Sequence, residues 1–374
     1  MPRLRTLGCK NLLVNLSLAA GSVILFAVLL EGGARVFWTV ERGDLCRVED
    51  EKLMYKPRPN CERRIKEFEG DLITYRFNAC GFRGSGPCVR RPPDTFRVFG
   101  IGDSFTLGEM VSEPDTYLQV AQTLWNAQLP YPVEVYNAGE SGYDLLQYSL
   151  RLDEAFEHNA QLITIGIMPN DLFADFSETA TAERQALVRR LGVQGAHEAL
   201  YRERKRTLLK SVRNAISQSR FGSLLMHLLF SIDAVYLRVY LMHYGEQSYL
   251  RVPYSDVWTA KVRDADRLIG DMARRARARG VELVIIVIPQ RVQALLVGRG
   301  GTVSGLDPFA FGDAIRSIGA RYDIVVVDFL KALERHPDPA RLFYPVDGHL
   351  TLEGQRILGS FVARALINER VIPH

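Results

Sequence analysis

Ser104 follows Gly102-Asp103 directly after the apolar run Phe96 to Ile101, which reads as a strand. This puts a hydroxyl at the carboxyl end of a strand, where open α/β sheets place their sites. A serine hydroxyl is a poor nucleophile until a neighbouring base takes its proton. Of the seven histidines, only His349 lies in a patterned block, Tyr344-Pro345-Val346-Asp347-Gly348-His349-Leu350, which makes it the candidate base. A lone Gly-Asp-Ser tripeptide is weak, since the same residues make an ordinary turn or helix cap. Two further blocks strengthen it. Asn137-Ala138-Gly139-Glu140-Ser141-Gly142 follows the run Val133 to Tyr136, and Gly166-Ile167-Met168-Pro169-Asn170-Asp171 closes the run Leu162 to Ile167.

The elements that must position these blocks alternate along the chain. Phe96 to Ile101, Val133 to Tyr136, Leu162 to Ile167, Val281 to Ile288 and Ile324 to Phe329 are almost continuously apolar, as expected of parallel strands covered on both faces. Between them, Tyr117 to Gln128, Asp144 to Glu157, Ser255 to Arg279 and Pro308 to Arg321 read as helices, with Gly280 as a C-terminal cap. The alternation predicts an α/β fold, a three-layer α/β/α sandwich on a parallel sheet of about five strands.

The four blocks together resemble the SGNH (GDSL-like) hydrolase superfamily, whose blocks contribute Ser, Gly, Asn and His, over roughly residues 74 to 365. An N-terminal apolar stretch, the segment Asn78-Ala79-Cys80-Gly81-Phe82-Arg83 and a helical insertion look like the membrane-anchored bacterial branch of that superfamily. The resemblance implies a flavodoxin-like sheet, with Ser104 as nucleophile and Asp347 and His349 completing the catalytic group. It implies Ser104, Gly139 and Asn170 as the oxyanion-hole residues, through two backbone amides and a side-chain amide. Only Gly348 separates Asp347 from His349, a closer spacing than in many family members. The implied reaction is hydrolysis of a carboxylic ester through a Ser104 acyl-enzyme, with short acyl groups on cell-envelope carbohydrate as the substrate class and neither metal nor organic cofactor. Acyl transfer to a glycan, or lipid or thioester hydrolysis, would use the same constellation. A non-catalytic envelope binding or assembly protein is the reading from a different class.

Composition bounds these readings. Among 374 residues, 47% are hydrophobic and 24% charged, enough for one sizeable α/β domain with insertions. A net charge of +4 without a dense basic stripe makes nucleic acid a poor partner. The loop after the first strand lacks the glycine-rich phosphate-binding pattern of a cofactor protein. Oligomeric state is not legible.

Arg3, Arg5 and Lys10 precede the uncharged stretch Asn11 to Leu30, long enough to cross a hydrocarbon core. No small-x-small cleavage site follows before Glu31, which favours an uncleaved signal anchor over a signal peptide. The basic flank puts the N-terminus in the cytoplasm and everything after about residue 38 outside the cytoplasmic membrane, on the periplasmic side. Cys46, Cys61, Cys80 and Cys88 then share an oxidising compartment, where one or two disulfides are expected in any of three pairings.

The chain thus divides into an N-terminal anchor (1–38), an arm expected to be irregular (39–95) and a hydrolase domain (96–374). A helical insertion at about 177–250 interrupts the last of these. Its first part, residues 199–213, is basic; its second, Leu224 to Tyr244, is apolar but interrupted by His227, Asp233 and Arg238, which argues against a second span. A cap over the site that touches the outer leaflet, and a helical hairpin packed on the sheet, are the two expectations for it. Asp103 and Asp171 read as turn or cap residues. Asn78 and Arg83 either shape the site or tie the arm to the core.

Overall fold

The computed structural model describes residues 3–173, 219–243, 248–300 and 303–373, with a few positions between 182 and 192. A long helix, α1 (Arg3–Phe37), opens the chain. Five short strands follow: β1 (Glu41–Arg42), β2 (Arg47–Asp50), β3 (Met54–Pro57), β4 (Glu62–Lys66) and β5 (Ile73–Arg76). Then come β6 (Phe96–Ile101), α2 (Ser104–Leu107), α3 (Tyr117–Gln128), β7 (Val133–Asn137), α4 (Leu145–Glu157) and β8 (Leu162–Ile167). Two helices of the insertion, α5 (Arg220–Phe230) and α6 (Asp233–His243), precede α7 (Asp256–Arg277), β9 (Glu282–Val287) and α8 (Arg291–Gly298). The chain ends with α9 (Ala310–Tyr322), β10 (Val325–Asp328), α10 (Phe329–Leu333) and α11 (Leu352–Asn368).

The five apolar runs form one parallel sheet in the order β7-β6-β8-β9-β10. Their near-continuous hydrophobicity has a direct cause, since side chains alternate between two buried faces. Phe99, Ile101, Ile163 and Ile165 point into a core shared with α4, α7 and α9. Val98, Leu162, Val284 and Ile286 point into a second core shared with α3, α10 and α11. Every residue of β8 is buried. The sheet order is flavodoxin-like, and the strand sequence reverses direction across β6 and β8, so a crevice opens at their carboxyl ends. The segments carrying Ser104 and Asn170 leave the sheet there.

Helix termini follow their local chemistry. Asp103 accepts from the Phe105 amide at the start of α2, and Asp144 with Gln147 forms a capping box on α4. Gly280 adopts a left-handed conformation (φ +64°) just after α7, where a residue with a Cβ is disfavoured.

The arm departs from the expectation of irregular structure. Strands β1, β4 and β5 form an antiparallel sheet and β2–β3 a hairpin. Its prolines lie at strand ends and between strands, so they punctuate the strands rather than prevent them. Disulfides join Cys46 to Cys61 and Cys80 to Cys88. In the insertion, α5 and α6 meet at 105°, a bent pair rather than one straight span. The basic part at 199–213 lies outside the described residues. Within α1, Ser17–Phe37 is the one described helix long and apolar enough to cross a membrane.

Candidate active site

β6 runs through Gly102-Asp103 into α2, whose first residue is Ser104. The Ser104 Oγ lies 2.7 Å from His349 Nε2, and His349 Nδ1 lies 2.5 Å from Asp347 Oδ1. Hydroxyl, imidazole and carboxylate therefore form one continuous hydrogen-bonded line between the first strand of the sheet and the loop before α11. Spacing in that loop depends on Gly348, whose φ of +88° folds the chain tightly enough for Asp347 to reach the histidine two residues on. The His349 amide also donates to Asp347 Oδ1. The His349 ring packs against Phe105, with centroids 4.8 Å apart.

Electrostatics agree with this geometry. Burial disfavours the imidazolium, but the Asp347 charge and hydrogen bond outweigh it, helped by Glu109 and Asp103, and lift His349 to about 9. Burial would raise Asp347, yet the facing His349 holds it below the usual carboxylate range. Asp103, enclosed beneath the site, is pushed by burial up to about 6. Asp171, buried and close to Asp103, is raised well above an ordinary aspartate by burial first and by the Asp103 charge second.

The other block residues surround this line. A Cβ built on Gly139 would lie 2.3 Å from the Leu107 nitrogen, so the second block abuts the backbone of α2 where only glycine fits. Gly139 N donates to Asn137 Oδ1 at 3.0 Å, while Asn137 Nδ2 donates to Thr106 O at 2.7 Å. Asn137 thus ties the carboxyl end of β7 to α2. Asn170, at the end of β8, is exposed, and its Nδ2 points to Asp103 Oδ2 at 3.4 Å. Asp103 consequently both caps α2 and meets Asn170, whereas Asp171 accepts from the Met168 amide and fixes its own turn.

Several residues at the site carry no signal in the sequence. Glu109 Oε2 lies 3.5 Å from His349 Nε2 and accepts from Ser141 Oγ at 2.9 Å. Glu69, buried in the arm, accepts from the Val346 amide at 3.1 Å, the Asp347 amide at 2.8 Å and His227 Nδ1 at 2.6 Å. It fixes the loop that carries Asp347 and His349 and joins it to α5 through His227. Glu69 sits between arm strands without any motif, so nothing in its neighbours marks it.

The arm also grips the other blocks. Arg83 is buried, crosses the Tyr75 ring at 3.9 Å and donates to Leu107 O and Val111 O at 3.1 and 2.8 Å. Arg47 pairs with Glu140 and donates to Ser141 O at 2.7 Å, the same carbonyl that Tyr55 reaches. Asn78 closes its own turn by accepting from Cys80 and Phe82. Arg83 thus shapes the loop that follows Ser104, and Asn78 builds the turn that delivers Arg83.

Cys80, Cys88 and His158 approach one another as metal ligands would, but both sulfurs are held in a disulfide. A surface groove along α11, lined by Arg356 and Arg364 among others, contains none of the site residues.

A parallel sheet with a serine, a histidine and an aspartate aligned at its carboxyl edge defines a serine hydrolase. The chain belongs to the GDSL-like lipase/acylhydrolase family, whose family model matches residues 101–357. No curated protein matches it in sequence. Among solved structures it is similar to the one described as TesA, at 15% identity with a TM-score of 0.40, over 72% of this chain and 97% of that one. An acetyl xylan esterase, AlAXEase, aligns at 11% identity and TM-score 0.42 over 72% of this chain and 100% of its own. A lipase/acylhydrolase from Enterococcus faecalis aligns at 13% and 0.40 over 73% and 96%.

Proposed function

We propose that this protein hydrolyses carboxylic esters through a Ser104 acyl-enzyme. The observation that carries the reading is the unbroken line from Ser104 Oγ through His349 to Asp347. In the first step neutral His349 Nε2 takes the Ser104 proton as Oγ bonds to the ester carbon. The resulting oxyanion is met by the Ser104 and Gly139 amides and the Asn170 side chain. For Gly139 this requires its amide to share or leave its bond to Asn137. The tetrahedral intermediate collapses, the C–O bond to the alcohol breaks, and His349 returns its proton to the departing alkoxide. A water, deprotonated by His349, then attacks the acyl carbon and releases the carboxylic acid and free Ser104.

In this reading α1 holds the protein in the cytoplasmic membrane with the remainder on the periplasmic side. Two disulfides beyond α1 support an oxidising compartment. That placement makes short acyl groups on envelope carbohydrate the substrate class we favour. The test is a pre-steady-state assay with an activated acetyl ester, followed by mass spectrometry of the acid-quenched protein. One acetyl group on the Ser104 peptide, absent from Ser104→Ala, is the expected result. A folded wild-type protein that neither bursts nor acylates would overturn it. Acylation followed by transfer to added oligosaccharide, with no acid released, would replace hydrolysis by acyl transfer.

A further inference from the structure

Among the described residues, the insertion helices present an apolar surface that lies outside the hydrophobic cores. Leu225, Leu228, Leu229 and Ile232 follow an i, i+3, i+4, i+7 spacing on one side of α5 and into its junction with α6, and each is between 41% and 58% exposed. The two helices are together apolar enough to pass for a membrane segment, yet they meet at 105° and so cannot form a straight span. A helix with this pattern that does not cross a bilayer has a place to lie, the boundary between headgroups and acyl chains.

Where α5 sits relative to α1 gives the occupant. Glu31, the first acidic residue after the uncharged stretch of α1, accepts from Ser219 Oγ at 2.7 Å and from the Arg220 and Phe221 amides at 3.1 and 3.0 Å. The end of α1 thereby caps the start of α5. A second contact reinforces the first: Trp38, just past α1, stacks on Phe68 of the arm, and Phe68 in turn meets the His227 ring of α5. If Asn11 to Leu30 fills the hydrocarbon core, Glu31 and Trp38 lie at its outer margin, and so does the start of α5. The stripe then begins within two turns of the point where α5 meets the outer end of α1. The opposite side of α5 faces the site, where His227 meets Glu69 and the Phe230 carbonyl accepts from Arg291, which also donates to Pro345 O in the catalytic loop.

We propose that α5 and its junction with α6 form a membrane-contacting surface, seated through Leu225, Leu228, Leu229 and Ile232 among the outer-leaflet acyl chains, which sets the Ser104 site at the bilayer surface. The inference rests on the membrane-anchored reading of α1 and is independent of the esterase chemistry.

The test places an environment-sensitive fluorophore at one cysteine in the full chain, reconstituted in phosphatidylcholine–phosphatidylglycerol vesicles, with Cys9 replaced by serine. Three positions are compared: Leu228→Cys on the stripe, Ile24→Cys within α1, and Arg364→Cys on the exposed side of α11, which packs on the core across the sheet from the one α6 joins. The quencher is a nitroxide carried on the lipid acyl chain. Loss of fluorescence at positions 24 and 228, with position 364 unaffected, is the expected result. Quenching at 24 without quenching at 228 overturns the inference and leaves the anchor intact; absence of quenching at 24 overturns the anchor reading and the inference with it. Shielding of 228 from both lipid and aqueous quenchers, increasing with the protein-to-lipid ratio, overturns it in favour of contact between two copies of the chain.

Discussion

At the residue scale, the proposed chemistry turns on what Asp347 does to His349. A general base must be neutral to accept the Ser104 proton, and His349 is lifted to about 9 in the free protein. The rate at low substrate concentration should therefore rise with pH and level off only near that value. Asp347→Asn removes the first of the influences that hold the proton on the ring, so the midpoint should fall toward the ordinary histidine range. The rate plateau should drop by on the order of 10⁴, because the tautomer and orientation are lost as well. A pH–rate profile of both proteins measures the two effects separately. An unchanged midpoint in Asp347→Asn would mean that Glu109, 3.5 Å from Nε2, dominates the field instead.

Glu69 makes its contribution one step further out. It fixes two amides of the loop that carries Asp347 and His349, and in the proposed mechanism it is a positioning residue. Glu69→Gln retains one acceptor oxygen but loses the charge, and hydrogen bonds to charged groups are worth about 1.5–3 kcal/mol. Converted at about 1.4 kcal/mol per tenfold, kcat should fall roughly ten- to a hundredfold while KM stays nearly constant. A loss of stability alone would leave the pH midpoint in place. Loosening Asp347 should lower it, which makes the profile of Glu69→Gln the deciding measurement.

At the element scale, strands and helices of the hydrolase domain were legible because each obeys a simple period. The continuous apolar runs gave five strands, and Tyr117 to Gln128 appears as a helix over the same residues. Legibility ended where the pattern is set by distant partners. The arm reads as irregular because its strands are only two to five residues long and interrupted by prolines, while what seats them on the blocks is long-range contact such as Arg83 with Leu107 and Arg47 with Glu140. The same reason hides Glu69 and Glu109, whose partners lie 278 and 240 positions away along the chain in His349's loop and leave no local trace. Ser104, Asp347 and His349 were legible because each stands in a short block at an element boundary.

Gly139 tests how tightly two such elements are fitted. Its Cβ position lies within 2.3 Å of the Leu107 nitrogen and 2.7 Å of the Thr106 carbonyl carbon, both backbone atoms that cannot rotate away. Gly139→Ala must push the second block off α2 or move α2 itself. Overpacking of this kind costs about 1–3 kcal/mol. The denaturation midpoint should drop with an unchanged m-value, and ester turnover should fall further than stability does, because α2 carries Ser104, the proposed nucleophile. A variant as stable and active as the parent would show that this junction yields freely.

At the scale of the whole molecule, the arm holds the site together from outside the sheet. Arg83 grips the loop behind Ser104, Arg47 and Tyr55 hold the second block at Glu140 and Ser141, and Glu69 holds the loop of Asp347 and His349. Three of the four blocks are thus fixed by residues between 47 and 83, while the sheet supplies the frame from which they project. Removing the arm would leave buried acceptors such as Leu107 O and Val111 O without partners and Glu140 without its cation, changes that each cost on the order of 1–3 kcal/mol. Net stabilities of domains are only about 5–15 kcal/mol, so the combined loss is comparable to the whole. A fragment of residues 39–374 should therefore fold and turn over a soluble ester at the rate of the full chain, whereas residues 96–374 should fail to give a cooperative unfolding transition. Circular dichroism melts and ester assays on the two fragments make the comparison. A cooperative but inactive 96–374 fragment would assign the arm to positioning alone, and an active one would make its contacts dispensable to both fold and chemistry.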